Sequence, residues 1–334
     1  MRVAILYNPR PDCGSGALDD AFEEYDDPAT IAAIGDALAG MGVDPTPVAA
    51  DADFPWRLKQ GGFDFVFNIA EGAGGRCREA VPAAICEFLE IPFTGSDALT
   101  LAATLDKAVA RRIVSPEVPV ACGALIEGPA DELALASLPY PVVVKPNDEG
   151  SSKGIRQESW CADVNAAAAR CRWLRERYAC PILVEEFLPG MEITVGVRGN
   201  GREAVLIGLM EIAPVAEGGE PFLYSLEVKR DFRRRVCYHV PPRLEAAPLE
   251  AIRSHALTAY RLLGCRDFAR IDFRLDAAGR PRFLECNPLP GLNPESSDLV
   301  ILSRMLRGDD VAYDGLVQGI LRDAVHRCGM NANR

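Results

Sequence analysis

Residues 269 to 291, "ARIDFRLDAAGRPRFLECNPLPG", constrain the fold more than any other stretch. Arg270, Asp272 and Arg274 alternate with Ile271, Phe273 and Leu275, the period-two pattern of a strand with one polar and one apolar face. Gly279 supplies a turn. The returning arm puts Glu285 and Asn287 on one face and Leu284 and Cys286 on the other, and stops at Pro288, Pro290 and Gly291. With Asp276 opposite Pro281 the connection is "AAGR", and Asp272 falls opposite Glu285. Two facing carboxylates repel, so the pairing makes sense if a cation lies between them. Asp, Glu and Asn oxygens are hard ligands suited to Mg²⁺ or Mn²⁺. A slipped register, giving an edge strand with a solvated polar face and no metal, is the alternative.

A chain of 334 residues suits about two or three domains. Its 49% hydrophobic and 25% charged residues describe a globular protein with ample core. A net charge of -12 argues against a nucleic-acid groove, which needs a basic stripe, but leaves room for a local basic pocket. No apolar run approaches a membrane span, and "MRVAILYNP" reads as a strand and turn, not a leader, so a cytoplasmic location is expected. The eleven cysteines form no C-x-x-C pair and read as buried free thiols, Cys286 among them. Three histidines without metal-like spacing give a zinc site little support.

The first part alternates strand and helix: "VAILY", a helix near 28 to 41, "GVDPTPV", "FDFVFNI", a helix near 78 to 89, and "IPFTGS". This βαβ rhythm predicts a parallel sheet flanked by helices. "NPRPDCGSG" lacks the G-x-G-x-x-G spacing of a dinucleotide fingerprint. Beyond the helical "LDKAVARRIV" the pattern changes to strands joined by turns, with "VACGALI", "PVVVKP", "IRQES", "PILVEEFL", "ITVGV" and "VLIGLMEI" as strands and helices near 163 to 178 and 247 to 263. The expected class is therefore α/β followed by α+β. "PVAEGGEP", near 214 to 221, is the expected flexible insertion.

"VVVKPNDEGSSKGIRQES" joins a buried strand ending in Lys145 to a loop with Gly150, Ser151, Ser152 and Gly154. Glycines let backbone N–H groups approach an anion, and serine hydroxyls add donors, so a loop between two strands can cover a nucleotide's phosphates; a plain polar turn is the alternative. Lys145 ends an apolar run where an unpaired ammonium is costly, although a lysine snorkelling at a strand end also fits. Lys107 reads equally as a solvated helix residue, and Lys229, in "SLEVKRDFRRR", as part of a solvated basic strand.

The ordered set "DK" (106 to 107), "VVVKPNDEGSSKGI", "ILVEEFLPGMEITV", "EVKRDF", "ARIDFRL" and "LECNPLPGLNPESS" resembles the ATP-grasp superfamily, and most closely the D-alanine:D-alanine ligases. The resemblance implies an ATP-grasp fold with a Rossmann-like N-terminal domain (1 to 100), a central subdomain with the glycine loop (101 to 190) and a C-terminal subdomain with the catalytic residues (191 to 334). It implies ATP and Mg²⁺ (or Mn²⁺) as cofactors and small amino acids or amines as substrates. The carboxylate of one substrate is phosphorylated, and the amine of a second displaces the phosphate. Lys107, Lys145 and Lys229 resemble the phosphate-holding lysines, with Ser151 and Ser152 in the lid. Glu185, Phe187 and Leu188 resemble the adenine hinge, Glu192 the ribose contact, and Asp272, Glu285 and Asn287 the metal ligands. Arg270 and the Gly291 N–H resemble the oxyanion donors, and Ser296 the acceptor-carboxylate contact.

The substrate end departs from that family. Its H-G-x-x-G-E-D-G reads "NIAEGAGGRCREAVPA" here, and the tyrosine expected after the lysine of "EVK" is Arg230. Glu24 and Asp26 lie near the place of the family's ammonium-binding glutamate, without a clean match. Glu71, past the end of a parallel strand, is a candidate for a substrate ammonium, or an ordinary loop glutamate. The expected function is an ATP-dependent carboxylate-amine ligase, with an L-amino-acid or specialised peptide ligase as the near alternative and a silent nucleotide-binding protein as the remote one. A homodimer is compatible with the sequence.

Overall fold

The computed structural model describes residues 1–9, 18–215 and 221–330, without the side chains of 309–311. Most of "NPRPDCGSG" and the centre of "PVAEGGEP" lie outside the described residues. The described cysteines are all free thiols.

The alternating first segment forms β1 (Arg2–Tyr7), α1 (Pro28–Ala39), β2 (Asp44–Ala49), α2 (Phe54–Gly61), β3 (Phe65–Asn68) and α3 (Ala80–Phe88). Its three strands pair in parallel in the order β2-β1-β3, and Phe93 of "IPFTGS" adds a parallel bridge to Val66. Right-handed crossovers need helices on the faces, which is why β1 is apolar through Val3–Leu6 and β3 through Phe65–Phe67, ahead of the buried Asn68. The sequence pattern missed α2, whose "FPWRLKQG" carries only two buried residues, Phe54 and Leu58.

Two helices, α4 (Ala98–Leu105) and α5 (Lys107–Val114), lead to an antiparallel sheet ordered β4-β7-β5-β6. Its strands are β4 (Gly123–Ile126), β5 (Val142–Pro146), β6 (Trp160–Cys161) and β7 (Ile182–Glu186), with α6 (Val164–Tyr178) on one face. "IRQES" is not a strand as expected: Gln157–Ser159 is a short 3-10 turn, and pairing begins at Trp160. Left-handed backbone at Ser151, Ser152 and Gly154 curls the chain away from β5 before it can pair.

A second antiparallel sheet, β10-β9-β8-β11-β12, takes β8 (Glu192–Arg198), β9 (Val205–Pro214), β10 (Val236–His239), β11 (Phe268–Leu275) and β12 (Pro281–Asn287). Between β9 and β10 lie α7 (Leu226–Arg230) and α8 (Phe232–Arg235), so "SLEVKRDFRRR" is helical, not a solvated strand. Ser225 caps it by accepting from the Val228 N–H at 3.4 Å, a signal the charge pattern hid. Helix α9 (Ala246–Leu262) covers the sheet's apolar face, and α10 (Asp298–Arg307) and α11 (Asp309–Arg327) close the chain. Val317, Ile320 and Leu321 of α11 share one core with Val3, Ile5, Phe65 and Phe67 of the first sheet.

The β11–β12 hairpin pairs Leu275 with Pro281, one residue off the expected turn. A bulge then restores the register: Phe273 faces Phe283, Asp272 faces Glu285, and Leu284 is the extra residue. Phe283 and Cys286 therefore both enter the core, and Leu284, expected beside Cys286, lines a cavity next to Glu285. The facing carboxylates are real, and an edge strand is where such a bulge is tolerated.

Candidate active site

The polar face of β11 and β12 holds Arg270, Asp272, Glu285 and Asn287 together. Arg270 donates from Nε to Asp272 at 3.0 Å, and its other nitrogens lie 3.7 Å from Glu285 and 3.4 Å from Asp298. Thr194 of β8 donates to Asp272 at 2.8 Å, and Lys107 at the start of α5 lies 3.6 Å from Glu285. Desolvation raises both carboxylates. At Asp272 it wins despite Arg270, whereas Lys107, Lys145 and Arg270 pull Glu285 down to about 2. The pair thus sits in a field already arranged for charge. Asn287 donates to Asp272 and Glu285 at 3.4 and 3.3 Å, and a half-turn of its amide presents Oδ1 instead. Two carboxylates and an amide suit a divalent ion whose remaining ligands are phosphate oxygens and water. Among the described residues no three carboxylate, histidine or cysteine groups converge to cage a metal alone.

Above this face, between the two antiparallel sheets, lies a cavity lined by Lys145, Phe187, Leu188, Glu192, Leu284 and Lys229. Lys145 is 7% exposed and does not snorkel: it pairs with Glu185, which Arg111 of α5 holds from the other side. Glu185 is buried, yet Lys145 and Arg111 overcome that burial and lower its pKa. Its side chain is thereby committed to positioning Lys145, while its backbone lies within β7 between β4 and β5. Glu192 accepts from Arg274 at 3.1 Å, but burial still raises it to about 7. Arg274 also stacks its guanidinium 5.0 Å from the Phe187 ring centre, fixing that wall. The Lys229 ammonium has no hydrogen-bond or ion-pair partner among the described residues.

The glycine loop is latched to the N-terminal segment. Glu24, 8% exposed, accepts from the Gly150 N–H at 2.9 Å, from Lys153 at 3.0 Å and from Arg78 at 2.7 and 3.1 Å. Against its own desolvation, Arg78 and Lys153 pull Glu24 down to about 2. Arg156 bridges Asp19 and Glu227, and Arg230, in the place of the expected tyrosine, donates to Glu23 at 2.6 Å. Ser152 Oγ donates to the Tyr224 carbonyl at 3.1 Å.

A second cavity runs from the loop to the first sheet, lined by Gly291, Ser296, Asp26, Glu71 and Glu79. Ser151, Lys229, Arg270 and Asp298 line both cavities, so the two meet at Arg270. Ser296 is exposed and donates its hydroxyl to Asn293 at 3.1 Å, and a Cβ on Gly291 would come 2.9 Å from Ser297 Oγ. Burial raises Asp26 to about 7. Burial, then Glu24, raises Glu79 to about 7, and burial with the Glu24, Glu79 and Asp26 charges raises Glu71 well above the carboxylate range.

A family model described as "D-ala D-ala ligase C-terminus" matches residues 129–322. The D-alanine–D-alanine ligase of Anaeromyxobacter is 31% identical over 97% of this chain and 96% of its own length. The chain belongs to the D-Ala–D-Ala ligase family. An uncharacterized Sinorhizobium fredii protein is 32% identical over 78% of this chain and 74% of its own. The Bacillus anthracis D-alanine–D-alanine ligase complexed with ATP shares the fold at TM-score 0.72 and 20% identity, covering 98% of both chains. The chain has the ATP-grasp fold and is an ATP-dependent ligase.

Within this ligase, each site residue expected from the sequence lines one of the two cavities or contacts a residue that does. Sequence reasoning missed Arg78, Glu79, Lys153 and Asp298. Asp298 is buried beneath Arg270, and Arg78 beneath the loop. "CREAVP" and "SSKG" carry Arg78, Glu79 and Lys153, but only tertiary contact pairs Arg78 and Lys153 with Glu24. No helix among the described residues is long and apolar enough to cross a membrane.

Proposed function

We propose that the chain is an ADP-forming carboxylate-amine ligase, joining two amino acids, or an amino acid and an amine, through an acyl phosphate. The observation that carries this reading is the meeting of the two cavities at Arg270, Lys229 and Ser151. ATP occupies the first cavity, with adenine against Phe187 and Leu188, ribose at Glu192, and phosphates at Lys145, Lys107 and Lys229. Asp272, Glu285 and Asn287 would hold Mg²⁺ or Mn²⁺, which would neutralise phosphate charge so that a carboxylate can approach. The activity belongs in the cytoplasm, where ATP is available.

A substrate carboxylate oxygen in the second cavity attacks the γ-phosphorus, the bond to the β-phosphate oxygen breaks, and ADP leaves. The acceptor amine then attacks the acyl carbon, with Arg270 and the Gly291 N–H donating to the developing oxyanion. Collapse expels phosphate, and the new amide nitrogen loses its proton. The latched loop with Ser151 and Ser152 keeps water from the acyl phosphate. The Lys229 ammonium, free of partners among the described residues, is available to the transferring phosphoryl group.

Phosphate release measured with ATP, Mg²⁺ and panels of D- and L-amino acids tests the reading and decides chirality. Strict dependence on D-alanine gives the activity named in the relatives. ATP binding with no phosphate release on any amino acid would overturn the ligase reading and leave a nucleotide-binding protein.

A further inference from the structure

The second cavity is lined by more carboxyl groups than one amino acid's ammonium can answer. Glu79 is only 9% exposed, faces this cavity, and has no hydrogen-bond or ion-pair partner among the described residues. Its cationic neighbours are committed elsewhere: Arg78 to Glu24 and Glu149, and Lys107 to Glu285 and the Glu149 carbonyl. Glu71 lines the same cavity and likewise has no such partner. Asp26 accepts only the Asn8 N–H, at 3.0 Å. Glu24, nearest the family's ammonium-binding position, is already saturated by Arg78, Lys153 and the Gly150 N–H. Of the cavity's own cations, Arg230 is paired with Glu23 and Arg270 with Asp272, and the unpaired Lys229 also lines the first cavity, so all three stand on the side of the loop and the metal face.

An unpaired carboxylate in such a place is costly to bury, and a ligand that brings the missing charge relieves that cost. One α-ammonium answers one carboxylate. Of the three open ones two then remain, and the three are not gathered into a metal cage among the described residues. Spread carboxylates suit organic cations, which carry their charges several bonds apart.

We propose that the substrate in this cavity is a basic amino acid, whose second cationic group is received by Glu79 together with Glu71. The proposal rests on the ligase reading and names its substrate class. The carboxylate of that substrate lies toward Arg270 and Lys229, and its side chain extends past Leu289 and Leu292 to the acidic wall.

Lysine and norleucine, which differ by an ammonium against a methyl group, are the probes, each as D and L forms, with alanine as reference. With ATP and Mg²⁺, phosphate release should favour lysine over norleucine by about tenfold or more in kcat/KM, the scale of one charged hydrogen bond. Glu79→Gln should cut that preference by a similar factor. It removes an unpaired buried charge, so its melting temperature should stay equal or rise, separating lost recognition from lost folding. Norleucine or alanine used as well as lysine by the wild type would overturn the substrate class and leave the ligase standing. If no amino acid releases phosphate, the ligase reading fails, and calorimetry with a non-hydrolysable ATP analogue and Mg²⁺ still decides: lysine binding no tighter than norleucine overturns the proposal too. A melting rise on Mg²⁺ alone that Glu79→Gln abolishes would make this a metal site and also overturn it.

Discussion

Replacing Glu24 with glutamine tests whether the N-terminal segment holds the glycine loop closed. The carboxylate is 8% exposed and joins the Gly150 N–H, Lys153 and Arg78. Arg78 and Lys153 hold its pKa near 2 in place of the ordinary 4.5. At about 1.4 kcal/mol per pH unit, that difference makes the charged form worth about 3 kcal/mol to the latched state. Because the folded pKa is depressed, this stabilisation is complete well above 4.5 and is lost as pH falls through about 2. Glutamine keeps the shape and removes the charge, with Glu149 left as a partner for Arg78 and Lys153. Native-state proteolysis of residues 148 to 156 reads the loop's open population when reclosing outpaces cleavage. The variant should be cut on the order of a hundredfold faster at pH 7. At pH 4 that ratio should shrink by about fourfold, since the wild-type carboxylate has then lost part of its advantage. Cleavage rates within about threefold of each other at pH 7 would refute the reasoning and show that the loop is held without Glu24.

Asp272→Asn and Glu285→Gln should each nearly abolish phosphate release while circular dichroism stays native, and unchanged turnover at limiting Mg²⁺ in both would remove the metal assignment. Arg270→Lys should lower kcat by about a hundredfold, because a point ammonium cannot reproduce the planar donor fork toward Asp272, Asp298 and an oxyanion at once; retained kcat would free Arg270 from that role. Gly150→Val places its Cβ 2.7 Å from Glu24 Oε1, so faster loop cleavage and a drop in turnover larger than the drop in melting temperature are expected. Near-normal turnover would make the loop a plain turn.

The hairpin was legible because alternation writes both its faces, and the apolar run before Lys145 correctly marked a buried strand end. The turn of that hairpin was not legible. Leu284 fits the apolar face by pattern and lies on the polar one, since a bulge leaves no mark in hydrophobicity. Lys229 was misplaced on a strand because its helix is short, basic and only partly buried, which flattens any period. The latch around Glu24 was invisible for a different reason: Glu24, Arg78 and Lys153 come from segments far apart in the chain, and no local spacing ties them. The same holds for Asp298, which meets Arg270 only after α10 docks.

The bulge at Leu284 also bears on how such a strand can change length. Removing one residue from a catalytic strand ordinarily swaps its faces and destroys the site. Here the pairs on either side, Phe273 with Phe283 and Asp272 with Glu285, are already aligned, and Leu284 belongs to neither. Excising it would join the two runs into an uninterrupted ladder with Glu285 still toward the first cavity and Cys286 still toward the core. The loss would be confined to one apolar contact on the wall of the first cavity. The middle of this hairpin is thus a place where lineages can gain or lose a codon without passing through an inactive enzyme, and length variation among relatives should be permitted there as well as in the "AAGR" turn.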